Sequence, residues 1–216
     1  MKTIVRTSLI GILLLLCITI NAQEKPVTFG VKAGMNITNL TGDVDDNNAK
    51  IGFNVGVTVD YALTPDIFLL SGLEYATKGT KFDGDVKLNL SYIQLPIHVG
   101  YKLTVSDGLK IGFHAGPYIA YGVDGKWNAK ADGVSVDLDT FGDDALLKMK
   151  RFDFGLGGGV GLEFGKFNAG INYDLGLVNI ADFGKIEIED DWGGVFDGSD
   201  VSLKNVAAYI TVGYKF

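Results

Sequence analysis

Cysteine is all but missing from this sequence. The single one, Cys17, sits in an apolar run near the N-terminus, so disulfides and thiol chemistry are excluded for the rest of the chain. Histidine is nearly as scarce, with two residues, and proline is limited to four. An excess of basic charge is also lacking: 19 Lys and Arg stand against 26 Asp and Glu, a net charge of -7. Nucleic acid, which needs clustered cations to neutralise phosphates, is therefore excluded as a partner. After Ile20 no segment carries a sustained apolar helical stripe, which excludes a helical bundle.

What is present begins with an export signal. Lys2 and Arg6 precede an apolar run from Ser8 to Ile20, followed by Asn21, Ala22 and Gln23. Such a run is short for a membrane helix and ends on a small residue suited to signal peptidase. Leu16 before Cys17 and Ile18 after it argue against a lipoprotein site. Residues 1–22 are read as a cleaved signal peptide and 23–216 as one domain. Thirty Gly, 13 Phe and 9 Tyr, all but Gly11 within that domain, make it unusual for a water-soluble globule.

Strict alternation then recurs along the chain. From Ile51 to Ala62 one parity reads Ile, Phe, Val, Val, Val, Tyr and the other Gly, Asn, Gly, Thr, Asp, Ala. Ser91–Leu103, Leu109–Gly122, Arg151–Phe164 and the segment from Phe167 to Leu177 split the same way. Successive strand side chains point to opposite faces, so each segment needs an apolar medium on one side and a polar, crowded one on the other. With strands near Val27–Ile37, Ile67–Lys78 and Asn205–Phe216, the pattern predicts eight.

Connections alternate in length. Leu63–Asp66, Thr104–Gly108 and Gly165–Lys166 are short, whereas Thr38–Lys50, Gly79–Lys87, Val123–Lys150 and Asn179–Lys204 are long, polar and acidic. Lipid offers backbone groups no hydrogen-bond partner, so a sheet crossing it must close on itself. The expectation is an all-β, eight-stranded, antiparallel up-and-down transmembrane β-barrel in a bacterial outer membrane, with short turns and both termini in the periplasm. Eight strands leave an interior that side chains fill, and a plugged polar core without a wide channel is expected. A lipocalin-like soluble barrel alternates too, but with its oily face inward; export, aromatic strand ends and one-sided loops favour the membrane.

Several segments resemble the PorT-like outer membrane protein beta-barrel domain family of Bacteroidetes. They are Phe29-Gly30-Val31-Lys32-Ala33-Gly34-Met35-Asn36, Tyr92-Ile93-Gln94-Leu95-Pro96, Gly116-Pro117-Tyr118 and Phe154-Gly155-Leu156-Gly157-Gly158-Gly159. The resemblance runs over nearly all of the mature chain and implies the same barrel fold; the name-giving member is linked to a protein secretion and gliding apparatus. Tyr214 and the terminal Phe216 resemble the signal read by the barrel assembly machinery, with Thr211 where Gly is usual.

The residues offer little chemistry. His98 and His114 share the polar parity, and if Leu103 faces Leu109 they lie directly opposite across the turn. Core imidazoles explain them better than a metal, since no third ligand is assignable. Ser71 and Ser91 lie on the other parity, which denies either histidine a serine nucleophile, so no catalytic residue, metal or cofactor is assigned and the chain is read as no enzyme. A barrel-interior polar cluster is expected from His98, His114, Glu74, Asp60, Arg151, Asp153, Glu163 and Asp174, paired with Lys32, Lys78 and Lys215. Asp43, Asp45, Asp46, Asn47 and Asn48 lack the Gly and closing Glu of a calcium loop. Trp127 and Trp192 are placed at a ligand or at the membrane boundary.

The expected role is a monomeric structural or adhesive barrel. Its partners are outer-membrane lipid and lipopolysaccharide, a protein partner at the acidic extracellular loops, and the assembly machinery during biogenesis. The alternative is a minor channel or an accessory of a secretion or transport machine.

Overall fold

Alternation of side chains makes a wall only if the strands pair in register, and they do. The computed structural model describes residues 26–44, 46–82, 86–131, 134–142, 148–183, 185–187, 195–197 and 201–216; the predicted signal peptide and Trp192 lie outside them. Eight long strands form a closed antiparallel ring: β1 Val27–Gly42, β2 Asn47–Ala62, β3 Ile67–Phe82, β4 Val86–Ser106, β5 Leu109–Ala131, β7 Phe152–Phe164, β8 Phe167–Gly176 and β11 Leu203–Lys215. The pairing of β1 with β11 closes the ring, so no barrel edge is left open. A short strand β6, Val134–Asp139, extends the sheet from β5, and β9, Lys185–Glu187, pairs with β10, Val195–Asp197.

The oily parity faces out. Phe53, Phe113, Phe164, Phe167, Ile171 and Ile210 are each more than half exposed. The opposite parity holds the buried polar side chains, among them Asn54, Asp60, Glu74, Gln94, His98 and Asp174. This inverts a lipocalin. An exposed apolar girdle on a closed sheet is stable only in hydrocarbon.

The long connections differ from the expectation. Much of Thr38–Lys50, Gly79–Lys87 and Val123–Lys150 is paired strand: β1 and β3 run to Gly42 and Phe82, and β5 continues to Ala131. β4 and β5 span 21 and 23 residues, about twice the 9–11 that cross a bilayer. Beyond the hydrocarbon no lipid enforces an oily outer face, so alternation fades or inverts while backbone pairing continues. A bulge between Ser91 and Tyr92 of β4, opposite Val123 of β5, also shifts parity on β5. Trp127 therefore turns inward against Phe82, with ring centroids 5.6 Å apart, rather than anchoring at the membrane boundary.

The interior corrects a second expectation, since it is polar only in part. At the loop end Leu40, Leu88, Leu90, Met149, Ile180 and Leu203 form a buried apolar plug, closed over by Phe141 and Phe183. Met149 bridges Ala181 and donates its N–H to Thr140 O, which draws loop residues into the barrel mouth.

Candidate functional site

The charged residues on the inward parity assemble in layers. At the turn end Asp60 from β2, Lys102 from β4, Glu163 from β7 and Lys215 from β11 form a four-charge ring. Lys215 Nζ lies 2.5 Å from both Asp60 and Glu163, and Lys102 Nζ lies 3.0 and 3.1 Å from them. Lys102 also sits 4.4 Å from the centre of the ring of Phe68, a strand phenylalanine that faces in and is buried. The expected cluster did not name Lys102, although its parity with His98 points to it.

One layer further in, Lys32 bridges to Glu74 at 2.5 Å, and Gln94 Nε2 donates to Asp174 at 2.7 Å. Here the two histidines meet, with Nδ1···Nδ1 2.9 Å and rings stacked at 5.1 Å. One ring donates and the other accepts, so the pair shares a single hydrogen. They are not directly opposite. Gly100 faces His114, because Asp107-Gly108 makes a two-residue turn with Ser106 opposite Leu109, and a bulge between Thr104 and Ser106 then sets Leu103 opposite Ile111. Gly108 has φ 83°, as a tight hairpin turn requires. The imidazoles reach each other on a diagonal, which glycine makes possible: a methyl at Gly157 would lie 3.1 Å from His98 Nε2 and 2.5 Å from Asp174 Oδ1.

Below the plug lies the driest layer. Lys78 Nζ stands 3.5 Å from Asp153 Oδ2, with side chains 1% and 0% exposed. Asn205 Nδ2 and Tyr118 OH donate to the same carboxylate oxygen at 2.9 and 3.3 Å. The Lys78 ammonium lies 4.5 Å from the Tyr118 ring centre and 5.4 Å from that of Tyr92. The two tyrosines and Asn205 were absent from the expected cluster; the even parity that Tyr92 and Tyr118 share with Gln94 was the available signal.

Arg151 is set apart from the others. Its guanidinium donates to Gly122 O and Phe141 O at 2.9 and 2.6 Å and stacks on Phe141, so it ties a loop to the rim rather than joining the interior cluster. Parity alone reads it into the interior, whereas its long side chain reaches the rim. Among the described residues no group of three or more His, Cys, Asp or Glu side chains converges to hold a metal.

A closed ring of eight strands, oily outside and filled inside, defines a small transmembrane β-barrel. Residues 21–182 match the family model described as Outer membrane protein beta-barrel domain. The chain belongs to that family, and its place is the bacterial outer membrane; the turn end faces the periplasm and the loop end the outside. No curated protein matches it. Among solved structures, a major outer membrane protein of Thermus thermophilus is similar at 16% identity and TM-score 0.49, covering 88% of this chain and 99% of that one. Neisserial surface protein A is similar at 12% identity and TM-score 0.47, covering 87% and 97%. Ail, the attachment invasion locus protein of Yersinia pestis, is similar at 13% identity and TM-score 0.42, covering 88% and 99%. No activity follows from likeness at that level.

Proposed function

We propose that this protein is an interaction barrel, a rigid membrane pedestal that holds its extracellular strands and acidic loops toward a protein partner. The observation that carries this reading is a barrel blocked at its outer end and overgrown at the same end. Leu88, Leu90, Met149 and Ile180 fill the mouth, while β4, β5 and β6 rise past the membrane. Among the described residues β6 pairs only with β5, and Val136 and Leu138 on it are 48% and 42% exposed. Such an edge suits strand addition by an extended segment of another protein. No chemical step is assigned, so the reading is non-enzymatic. Lipid and lipopolysaccharide are its surroundings, and the narrower PorT-like membership belongs to the same proposal.

The test pairs two measurements on the full barrel. In planar bilayers it should show no steady conductance, whereas steady conductance would replace this reading with that of a minor channel. Capture from native membranes should retain a specific protein that a Ser135→Pro barrel loses, because in this register the Ser135 N–H points away from β5 and proline removes that donor from the edge. Capture unchanged by that substitution would place the partner elsewhere and favour an accessory role in a secretion or transport machine.

A further inference from the structure

Two small cavities lie end to end inside the barrel. The wider, about 90 Å³, begins at the periplasmic mouth against Thr58, Asp60, Gly112, Glu163 and Lys215. The narrower, about 20 Å³, is lined by Asn54, Gln94, His98, Asp174 and Tyr209. Lys32, His114, Asn172 and Thr211 border both, so the two adjoin across the histidine pair. A site holding one water needs about 10–15 Å³ of such space and two to four polar partners. The narrower cavity fits one molecule and the wider one several.

The polar partners are there and unmet. Asn54 Oδ1 and Nδ2, Gln94 Oε1, His98 Nε2 and Tyr209 OH are buried without a hydrogen-bond partner. Asp174 is a buried carboxylate that has no cation within 4 Å among the described residues and accepts from Gln94. Five polar atoms left bare around one small cavity demand a small ligand that both donates and accepts. At the mouth the side chains of Lys102, Glu163 and Lys215 keep 15–19% exposure, so solvent reaches the wider cavity. At the other end Leu88, Leu90, Tyr92 and Tyr118 are sealed at 0–1% exposure.

We propose that the barrel is a blind aqueous vestibule. Water enters from the periplasm through the wider cavity, and one bound water in the narrower cavity joins Asn54, Gln94, His98 and Tyr209. Nothing passes the dry layer beyond them. The His98–His114 pair is thereby in protonic contact with the periplasm and insulated from the outside. This inference is independent of the partner reading, because a barrel with any external role can hold it.

The test uses a water-sized, thiol-reactive cation, Ag⁺, on the folded full barrel in detergent. Asn54→Cys places the mature chain's single thiol in the narrower cavity. Gly112 faces the wider cavity, and a Cβ there has its nearest neighbours at 3.9 Å, so a side chain can start there and Gly112→Phe is placed to obstruct the entrance. The thiol should react with Ag⁺, and adding Gly112→Phe should slow the reaction at least tenfold. Equal rates with and without the phenylalanine would mean entry by another route, and no reaction in either barrel would mean a dry cavity; each overturns the proposal. If Asn54→Cys does not fold, magnetisation transfer from water to the Gln94 side-chain amide of the unsubstituted barrel decides: transfer supports the bound water and its absence overturns it.

Discussion

Lys78 and Asp153 face each other at 3.5 Å in the driest layer of the barrel, each all but inaccessible to solvent. Water cannot screen them there, so each is the other's principal compensation. Removing one partner strands the remaining charge, at a typical cost of about 3–5 kcal/mol. Replacing both with apolar residues of similar size is often close to neutral. Lys78→Met and Asp153→Asn should each lower unfolding stability by about that amount, and the double variant, whose amide oxygen still accepts from Asn205 and Tyr118, should recover most of the loss. A double-mutant cycle from urea unfolding in detergent checks this; additive losses would mean that the pair is not coupled.

Asp174 should behave in the opposite way. It is buried, accepts from Gln94, and has no ammonium within 4 Å among the described residues. Asp174→Asn keeps the shape and an acceptor while removing an uncompensated charge, so the expected change is neutral or stabilising. The same unfolding measurement should place it at least about 2 kcal/mol above Asp153→Asn, given the range for breaking a buried pair. A loss as large as that of Asp153→Asn would show that a cation of this chain compensates Asp174.

The barrel was legible where lipid writes it. Along Ile51–Ala62 or Arg151–Phe164 every second residue meets hydrocarbon, so alternation marks strand and facing together. Above the membrane the same wall turns inside out: Leu88 and Leu90 lie inward on the plug while Lys87 and Asn89 are outward, and β4 shows no register break between them. A reading tuned to an oily outer face takes that stretch for loop. The histidine contact was legible as a neighbourhood but not as a register, because the turn was counted as five residues. The Asp107-Gly108 dipeptide signals the two-residue hairpin, and the bulge between Thr104 and Ser106 adds a further one-residue shift that no motif marks. Arg151 was read into the interior cluster on parity alone, whereas its long side chain reaches Gly122 O and Phe141 O at the rim.

Gly157 tests whether the clean glycine run of β7 serves packing rather than chain flexibility. A methyl there would sit 2.5 Å from Asp174 Oδ1 and 3.1 Å from His98 Nε2, both on buried side chains with little room to yield. At Gly161 the nearest atom would be Ala169 O, at 3.3 Å. Gly157→Ala should therefore destabilise by about 1–3 kcal/mol, the usual cost of overpacking, and should shift the His98 and His114 ring resonances. Gly161→Ala should do neither. Thermal unfolding and imidazole NMR of the two variants separate the cases, and equal behaviour would count against the close approach.

The facing of the wall itself can be tested at Ile210. It is 66% exposed and lies between Met35 and Ile171, themselves 61% and 62% exposed, in the middle of the apolar girdle. A lysine near the bilayer midplane of a β-barrel costs about 2–4 kcal/mol. Val136 on β6 is also exposed but lies beyond the membrane, where a surface substitution is usually within about 0.5 kcal/mol of neutral. Ile210→Lys should lose stability in urea unfolding from lipid vesicles while Val136→Lys does not. The contrast isolates the medium, because both positions replace an exposed apolar side chain with the same charge. If Ile210→Lys is as harmless as Val136→Lys, water rather than hydrocarbon bathes the oily parity.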